Sequence, residues 1–177
     1  MSSIPFSIGS MVNRYRLDAE LGSSELAGVF RARDTVLGRD VVLKIILHSR
    51  GYSSGFKEQF LKETRAVAHI THPNIARILD FGQEQGYLFL VSEFVPGETL
   101  EMRLSGGQRP PWREIVELLI PITEALEKAH EAGIIHQDLK PSNIIITPEG
   151  KPVITDFSIA RIIEPEETRG LTGTHVG

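Results

Sequence analysis

The sequence predicts an α+β fold in two parts: an antiparallel sheet with one long helix, then a helical part that carries a β-hairpin. Three observations predict it. Short apolar runs separated by turn residues fill most of the chain up to Val95, interrupted by one stretch of helical spacing. Pro96-Gly97 then breaks the pattern. Beyond that break lie one long amphipathic stretch and a compact strand–turn–strand ending at Thr155.

Positions 1–13 read as a leader, 14–95 as the sheet part and 96–177 as the helical part. Tyr15 to Leu21 starts the first strand, and Gly22-Ser23-Ser24-Glu25 is a turn. Gly28 to Arg33 is the second strand, and the strongly apolar Val41 to Leu47 is the third. From Phe56 to Ile70, the spacing puts Phe56, Phe60, Val67 and Ile70 on one side of a helix. Ile75 to Phe81 and Tyr87 to Val95 flank the turn Gln83-Glu84-Gln85-Gly86 and complete a five-stranded sheet.

A second helix runs from about Trp112 to Ala132, with Ile115, Leu118, Leu119, Ile122, Leu126 and Ala129 on a wide apolar face and Gly133 ending it. Pro121 lies inside that pattern and is expected to kink it, at a cost of roughly 3 kcal/mol or more unless packing compensates.

Composition narrows the function classes. The 177 residues carry a net charge of -4 with mixed signs, so no basic surplus points to nucleic acid or an anionic membrane surface. Cysteine is absent, which excludes disulfides and thiolate metal sites. No apolar run is long enough to span a bilayer, and the N-terminus lacks the pattern of a signal peptide. The expectation is a soluble, cytoplasmic chain.

The chemistry concentrates between Ile134 and Ser158. Ile144 to Thr147 and Pro152 to Thr155 read as paired strands around Pro148-Glu149-Gly150-Lys151. If those four residues form the loop, Thr147 pairs with Pro152, and the same register sets Asn143 opposite Asp156. An amide oxygen and a carboxylate then meet at the open end of the hairpin, next to a loop bearing Asp138 and Lys140. Such hard oxygen donors suit Mg²⁺ held together with substrate phosphates. His69 and His72 sit at a helix end before Pro73 and do not make a metal pair. His136 reads as a packed, hydrogen-bonded loop residue.

The strand Val41 to Leu47 contains one charge, Lys44. A run this apolar is expected to be buried on both faces, and a buried ammonium needs a partner. Glu63 lies on the following helix.

His136-Gln137-Asp138-Leu139-Lys140-Pro141-Ser142-Asn143 followed by Asp156-Phe157 resembles the catalytic loop and metal-binding motif of protein kinases, in the serine/threonine branch and of bacterial type. The resemblance implies a small lobe, a hinge and part of a large lobe. It implies ATP and Mg²⁺ as cofactors and a protein substrate bearing a serine or threonine hydroxyl.

In that arrangement Asp138 takes the hydroxyl proton, Lys140 balances charge near the γ-phosphoryl group, and Asn143 and Asp156 hold the metal. Lys44 holds the α/β-phosphates and Glu63 orients it. Gly22, Val29, Val42 and Ile145 contact the nucleotide, and Glu93 and Val95 do so as the hinge. The alternative reading is a nucleotide-binding pseudokinase or scaffold without phosphotransfer.

Several positions depart from the family pattern. Its glycine-rich loop would place glycines at 22, 24 and 27; only Gly22 is kept, with Ser24 and Ala27 at the others. Gln137 stands where an arginine usually pairs with an activation-segment phosphate, and Ser158 replaces a glycine. Thr168, Thr172 and Thr174 remain open to modification. The resemblance runs from about Arg14 to Gly177 and stops inside the activation segment. The expectation is therefore an apolar face on the Trp112–Ala132 helix completed by a partner chain or a missing C-terminal part, and weak or no transfer by these residues alone.

Overall fold

A computed structural model describes residues 6–24, 27–47, 54–106 and 110–157. The readings made at Glu25, Ser158, Thr168, Thr172 and Thr174 lie outside the described residues.

The sheet part consists of β1 (Met11–Val12), β2 (Tyr15–Ser23), β3 (Ala27–Asp34), β4 (Arg39–Ile46), β5 (Ile78–Glu84) and β6 (Tyr87–Glu93), with helix α1 (Ser54–Ala68) between β4 and β5. All pairings are antiparallel, in the order β1–β2–β3–β4–β6–β5. The five expected strands are present, and the two-residue β1 adds an edge. One face packs Tyr15, Leu17, Phe30, Ala32, Val41, Leu43 and Ile45 against Phe89 and Val91. Near α1, Ala27, Ile46, Phe60, Leu88 and Leu90 form a second cluster.

The alternation along β4 corrects the expectation for Lys44. Val41, Leu43 and Ile45 point into the core, whereas Val42 and Lys44 occupy the opposite, partly accessible face. The Lys44 side chain keeps 23% of its exposure. Period-two geometry, with water on one side, allows a charge within an apolar run.

The connector after α1 also behaves differently from a simple strand. Ile75 makes a parallel bridge with Ile154, Ala76 N–H donates to Ile154 O at 2.9 Å, and Ile154 N–H donates to Asn74 O at 2.8 Å. The Asn74 side-chain amide donates to Pro152 O at 2.6 Å. These bonds divert residues 74–76 to the hairpin, so β5 opens only at Ile78. The same bonds fasten the sheet to the part that follows.

That part contains β7 (Glu98–Thr99), α2 (Leu100–Ser105), α3 (Trp112–Glu131), a 3₁₀ turn at Pro141–Asn143, β8 (Ile144–Ile146) and β9 (Pro152–Ile154). α3 continues through Pro121 to Glu131. Ile122, Ala125 and Ala129 are buried against Ile144, Ile146, Ile154, Phe157, Ile70 and Ile75, which gives the packing that offsets the lost backbone bond. Ile115, Val116, Leu119 and Ile120 stay exposed, so only part of the expected apolar face is covered. Gly133 ends the helix at φ 73°, with Gly133 N–H to His130 O and Ile134 N–H to Ala129 O, a Schellman closure.

The hairpin register differs by one residue from the expectation. Ile144 faces Ile154 and Ile146 faces Pro152, which sets Asn143 opposite Thr155 rather than Asp156. Thr155 N–H donates to Asn143 O at 2.9 Å. The cause is the turn. Gly150 N–H closes onto Thr147 O, Thr147 N–H bonds Lys151 O, and Gly150 at φ 79° makes a bulged three-residue loop instead of a four-residue one.

β7 reaches β8 only because Gly97 sits between them. Gly97 has φ 146°, and a Cβ there would lie 2.2 Å from Ile146 O. Gly97→Ala is therefore expected to separate β7 from β8 and to lower stability by at least about 2 kcal/mol. Thermal unfolding checks this; an unchanged midpoint would show that the backbones are not held so close.

Candidate active site

Sheet and hairpin enclose a cleft of about 610 Å³. Val29 from β3 and Val42 from β4 supply apolar wall on the sheet side, and Ile145 from β8 supplies it on the hairpin side. Glu93 and Val95 line the end where β6 runs into the break at Pro96, and Gly22 lies near the β2–β3 turn. Lys44, Lys140, Asn143 and Asp156 bring the charged and polar groups to the same space. Val29 and Lys44 are direct cross-strand partners, which is why an apolar wall and a cation share one surface.

Two ion pairs organise the polar end. Lys44 Nζ lies 3.0 Å from Asp156 Oδ1, and Lys140 Nζ lies 2.9 Å from Asp138 Oδ2. The buried Asn143 amide donates to Asp138 O at 2.9 Å and to Asp138 Oδ2 at 3.2 Å. The amide nitrogen is thereby committed to Asp138, and Oδ1 is the atom left to accept. Asp156 has φ 56° and Gln137 φ 65°, left-handed conformations that turn the backbone sharply at both sides of the site.

The protein kinase domain profile matches residues 15–176. The chain belongs to the protein kinase family. It is 38% identical over 156 residues to the serine/threonine-protein kinase pkn2 of Myxococcus xanthus, covering 86% of this chain and 19% of that protein. It is 36% identical over 160 residues to PknA of Mycobacterium tuberculosis, covering 88% of this chain and 37% of that protein. The fold is similar to that of the M. tuberculosis PknI kinase domain, with a TM-score of 0.77 at 24% identity, over 88% of this chain and 62% of that one. The chain thus spans well under half the length of these two curated relatives.

Within this kinase fold the expected Lys44–Glu63 pair is not formed. Lys44 is bound by Asp156, while Glu63 accepts a hydrogen bond from Gln59 one helical turn earlier. A local i,i+4 partner on α1 has captured the carboxylate. Glu63 lines a separate cavity of about 180 Å³ with Gln137, Ala66, Val67 and Ile135.

His136 ties the site together in a way its spacing only hinted at. Asp138 N–H lies 3.3 Å from His136 Nδ1, and His136 Nε2 lies 2.9 Å from Thr155 O. These contacts fit the Nε2–H tautomer, donating to Thr155 O and accepting from the Asp138 N–H, which also bonds His136 O at 2.9 Å. The ring also meets Phe157 edge-on, at 4.7 Å between centroids. One side chain thus spans from the loop holding Asp138 to the strand end preceding Asp156.

Burial works to raise the Asp138 pKa, but the hydrogen bond and charge of Lys140, with the Asn143 amide, outweigh it and hold the carboxyl below its ordinary value. The hydrogen bond to Asp138 raises the Lys140 pKa in return. Asp138 is therefore an ionised carboxylate with a spare oxygen near the cleft.

The donor set fits Mg²⁺. Asn143 Oδ1 and the Asp156 carboxylate are hard oxygen donors on one cleft, and no cluster of three acidic, histidine or cysteine side chains forms a metal cage among the described residues. Magnesium favours this economy, with few protein ligands and the rest from water and substrate phosphates. Ser142, Thr155 and Thr99 also line the cleft. Ser142 and Thr155 directly precede the metal-motif residues, so adjacency was a usable signal. Thr99 comes from a two-residue strand that nothing in the sequence announces.

Proposed function

We propose that this chain is the nucleotide-binding and catalytic part of a serine/threonine protein kinase, which transfers the γ-phosphoryl group of ATP to a protein hydroxyl. The observation that carries the reading is the convergence of Lys44, Asp156, Asn143 and Lys140 on one cleft with apolar walls, with Asp138 held next to Lys140. In this reading residues 14–95 form the small lobe and hinge and 96–177 the beginning of the large lobe. Val29, Val42 and Ile145 would hold the nucleotide between them, and the backbone of Glu93 and Val95 would meet it at the hinge end of the cleft. A cytoplasmic setting follows from ATP as co-substrate, and among the described residues no helix is long and apolar enough to cross a membrane.

The residues act mainly by positioning. Lys44 exchanges its contact with Asp156 for phosphate oxygens. Asp138, kept ionised by Lys140, accepts the proton of the substrate hydroxyl, and Lys140 offsets charge on the group in transfer. Asn143 and Asp156 would hold magnesium, which would supply neutralisation of phosphate charge. Metal-dependent transfer of labelled γ-phosphate to a serine- or threonine-containing protein tests the reading; no Mg-ATP binding and no transfer would overturn it. The absent Lys44–Glu63 pair favours a second reading, a nucleotide-binding pseudokinase. Tight Mg-ATP binding without transfer by the natural full-length protein would select it.

The low Asp138 pKa gives a pH signature. A carboxylate whose folded pKa is depressed adds stability above its unfolded value, lost as pH falls through the folded one. Its ordinary value is 3.8. Lys140→Ala removes the main opposing charge and leaves burial, so Asp138 is expected to protonate at higher pH. The acid limb of the transfer rate should then move upward in pH, and a pH–rate profile with an unmoved limb would separate Asp138 from the proton step.

A further inference from the structure

Ser24 closes the turn between β2 and β3 with its side chain. Its backbone N–H donates to Ala27 O at 2.8 Å, and Ala27 N–H donates to Ser24 Oγ at 3.1 Å. The hydroxyl lies 3.4 Å from Ala27 O. In an antiparallel hydrogen-bonded pair, the second backbone bond returns to a carbonyl. Here a hydroxyl takes that place, as serine side chains do in turns. Ser24 and Ala27 both line the nucleotide cleft beside Gly22. The Ala27 amide is thus a donor at the cleft wall whose hydrogen is already committed, and the group holding it is present because Ser24 is not a glycine.

We propose that Ser24 is a positioning residue that competes with nucleotide phosphate for the Ala27 N–H, and so sets the affinity for phosphorylated nucleotide apart from that for adenosine. The proposal rests on the nucleotide reading above. A phosphate oxygen is the stronger acceptor because the bond is charge-assisted. The Ala27–Ser24 bond must nevertheless break before the phosphate gains it. Alanine at position 24 removes the hydroxyl but keeps the Cβ, so the loop does not acquire the freedom of glycine. Ser24 has no positive φ that alanine would strain. Releasing one neutral hydrogen bond corresponds to about five-fold in affinity.

The test is calorimetric titration of the natural full-length protein, wild type, Ser24→Ala and Ser24→Thr, with Mg-ATP, Mg-ADP and adenosine. Ser24→Ala is expected to bind both phosphorylated nucleotides about five-fold tighter, with adenosine unchanged. Ser24→Thr keeps the hydroxyl and is expected to follow the wild type. Adenosine binding also reports that each variant is folded around its cleft. Equal Mg-ATP affinity in wild type and Ser24→Ala would overturn the competition while leaving the nucleotide site intact. Weaker Mg-ATP binding in Ser24→Ala would make the hydroxyl a phosphate donor instead, and an equal gain for adenosine would point to loop shape; either overturns the proposal. No binding of any of the three ligands by the wild type would remove the nucleotide reading, and the competition with it.

Discussion

Asp138→Asn is expected to lower phosphoryl transfer at least about 100-fold, with Mg-ATP still bound. Asparagine matches aspartate in volume, and its carbonyl oxygen can still accept from the Asn143 amide that now holds Asp138 Oδ2 at 3.2 Å. The backbone contact from Asn143 to Asp138 O is independent of the side chain. The His136 contact to the residue 138 amide is also retained, because it uses the main chain. What disappears is the negative charge paired with Lys140 at 2.9 Å, and with it an oxygen able to take a proton. The substitution therefore separates chemistry from scaffolding. Transfer of labelled phosphate should collapse while nucleotide titration stays close to wild type. Transfer within a few-fold of wild type would remove Asp138 from the reaction, whereas parallel loss of binding would assign it to the fold.

Residue types were more legible in the sequence than the geometry that joins them. The order of Asp138, Lys140, Asn143 and Asp156 carried the resemblance to the family, yet the hairpin register came out one residue off. Counting four turn residues treats every position as ordinary, whereas Gly150 at φ 79° shortens the loop to three. Asn143 and Asp156 nevertheless line one cleft, because Asp156 itself turns through φ 56° just beyond the strand.

Lys44 shows a second limit. An apolar run reveals a strand but not which face meets a cleft, and the partner follows from the face. The carboxylate that reaches Lys44 comes from Asp156, which is 112 residues away in the chain, while Glu63 is held by Gln59 on its own helix. Local pairing is visible as an i,i+4 spacing, but nothing in the spacing says that it wins. At Ser24 the lost glycine could be read directly, and the use of its hydroxyl could not, since that bond depends on where Ala27 turns its amide.

Asp156→Asn is expected to abolish the Mg²⁺-dependent part of the stabilisation by ATP. The residue occupies a left-handed conformation, φ 56°, that asparagine tolerates as well as aspartate does, so the backbone should be conserved. The charge that faces Lys44 and would hold the metal is lost. For the partly exposed Lys44–Asp156 pair alone the stability change should be small, about 1 kcal/mol or less.

Ligand linkage gives the larger effect. At a ligand concentration of 100 times Kd the wild type gains about 2.7 kcal/mol, or about 5–10 °C in Tm for a domain of this size. In Asp156→Asn the shift with Mg-ATP should fall to that seen with ATP and a chelator. Adenosine binding should persist, because Val29, Val42 and Ile145 line the cleft independently of Asp156. A magnesium-dependent shift of wild-type size in the variant would remove Asp156 from the metal site and leave Asn143 without its carboxylate partner. A loss that extends to adenosine would mean that the Lys44–Asp156 pair shapes the cleft itself.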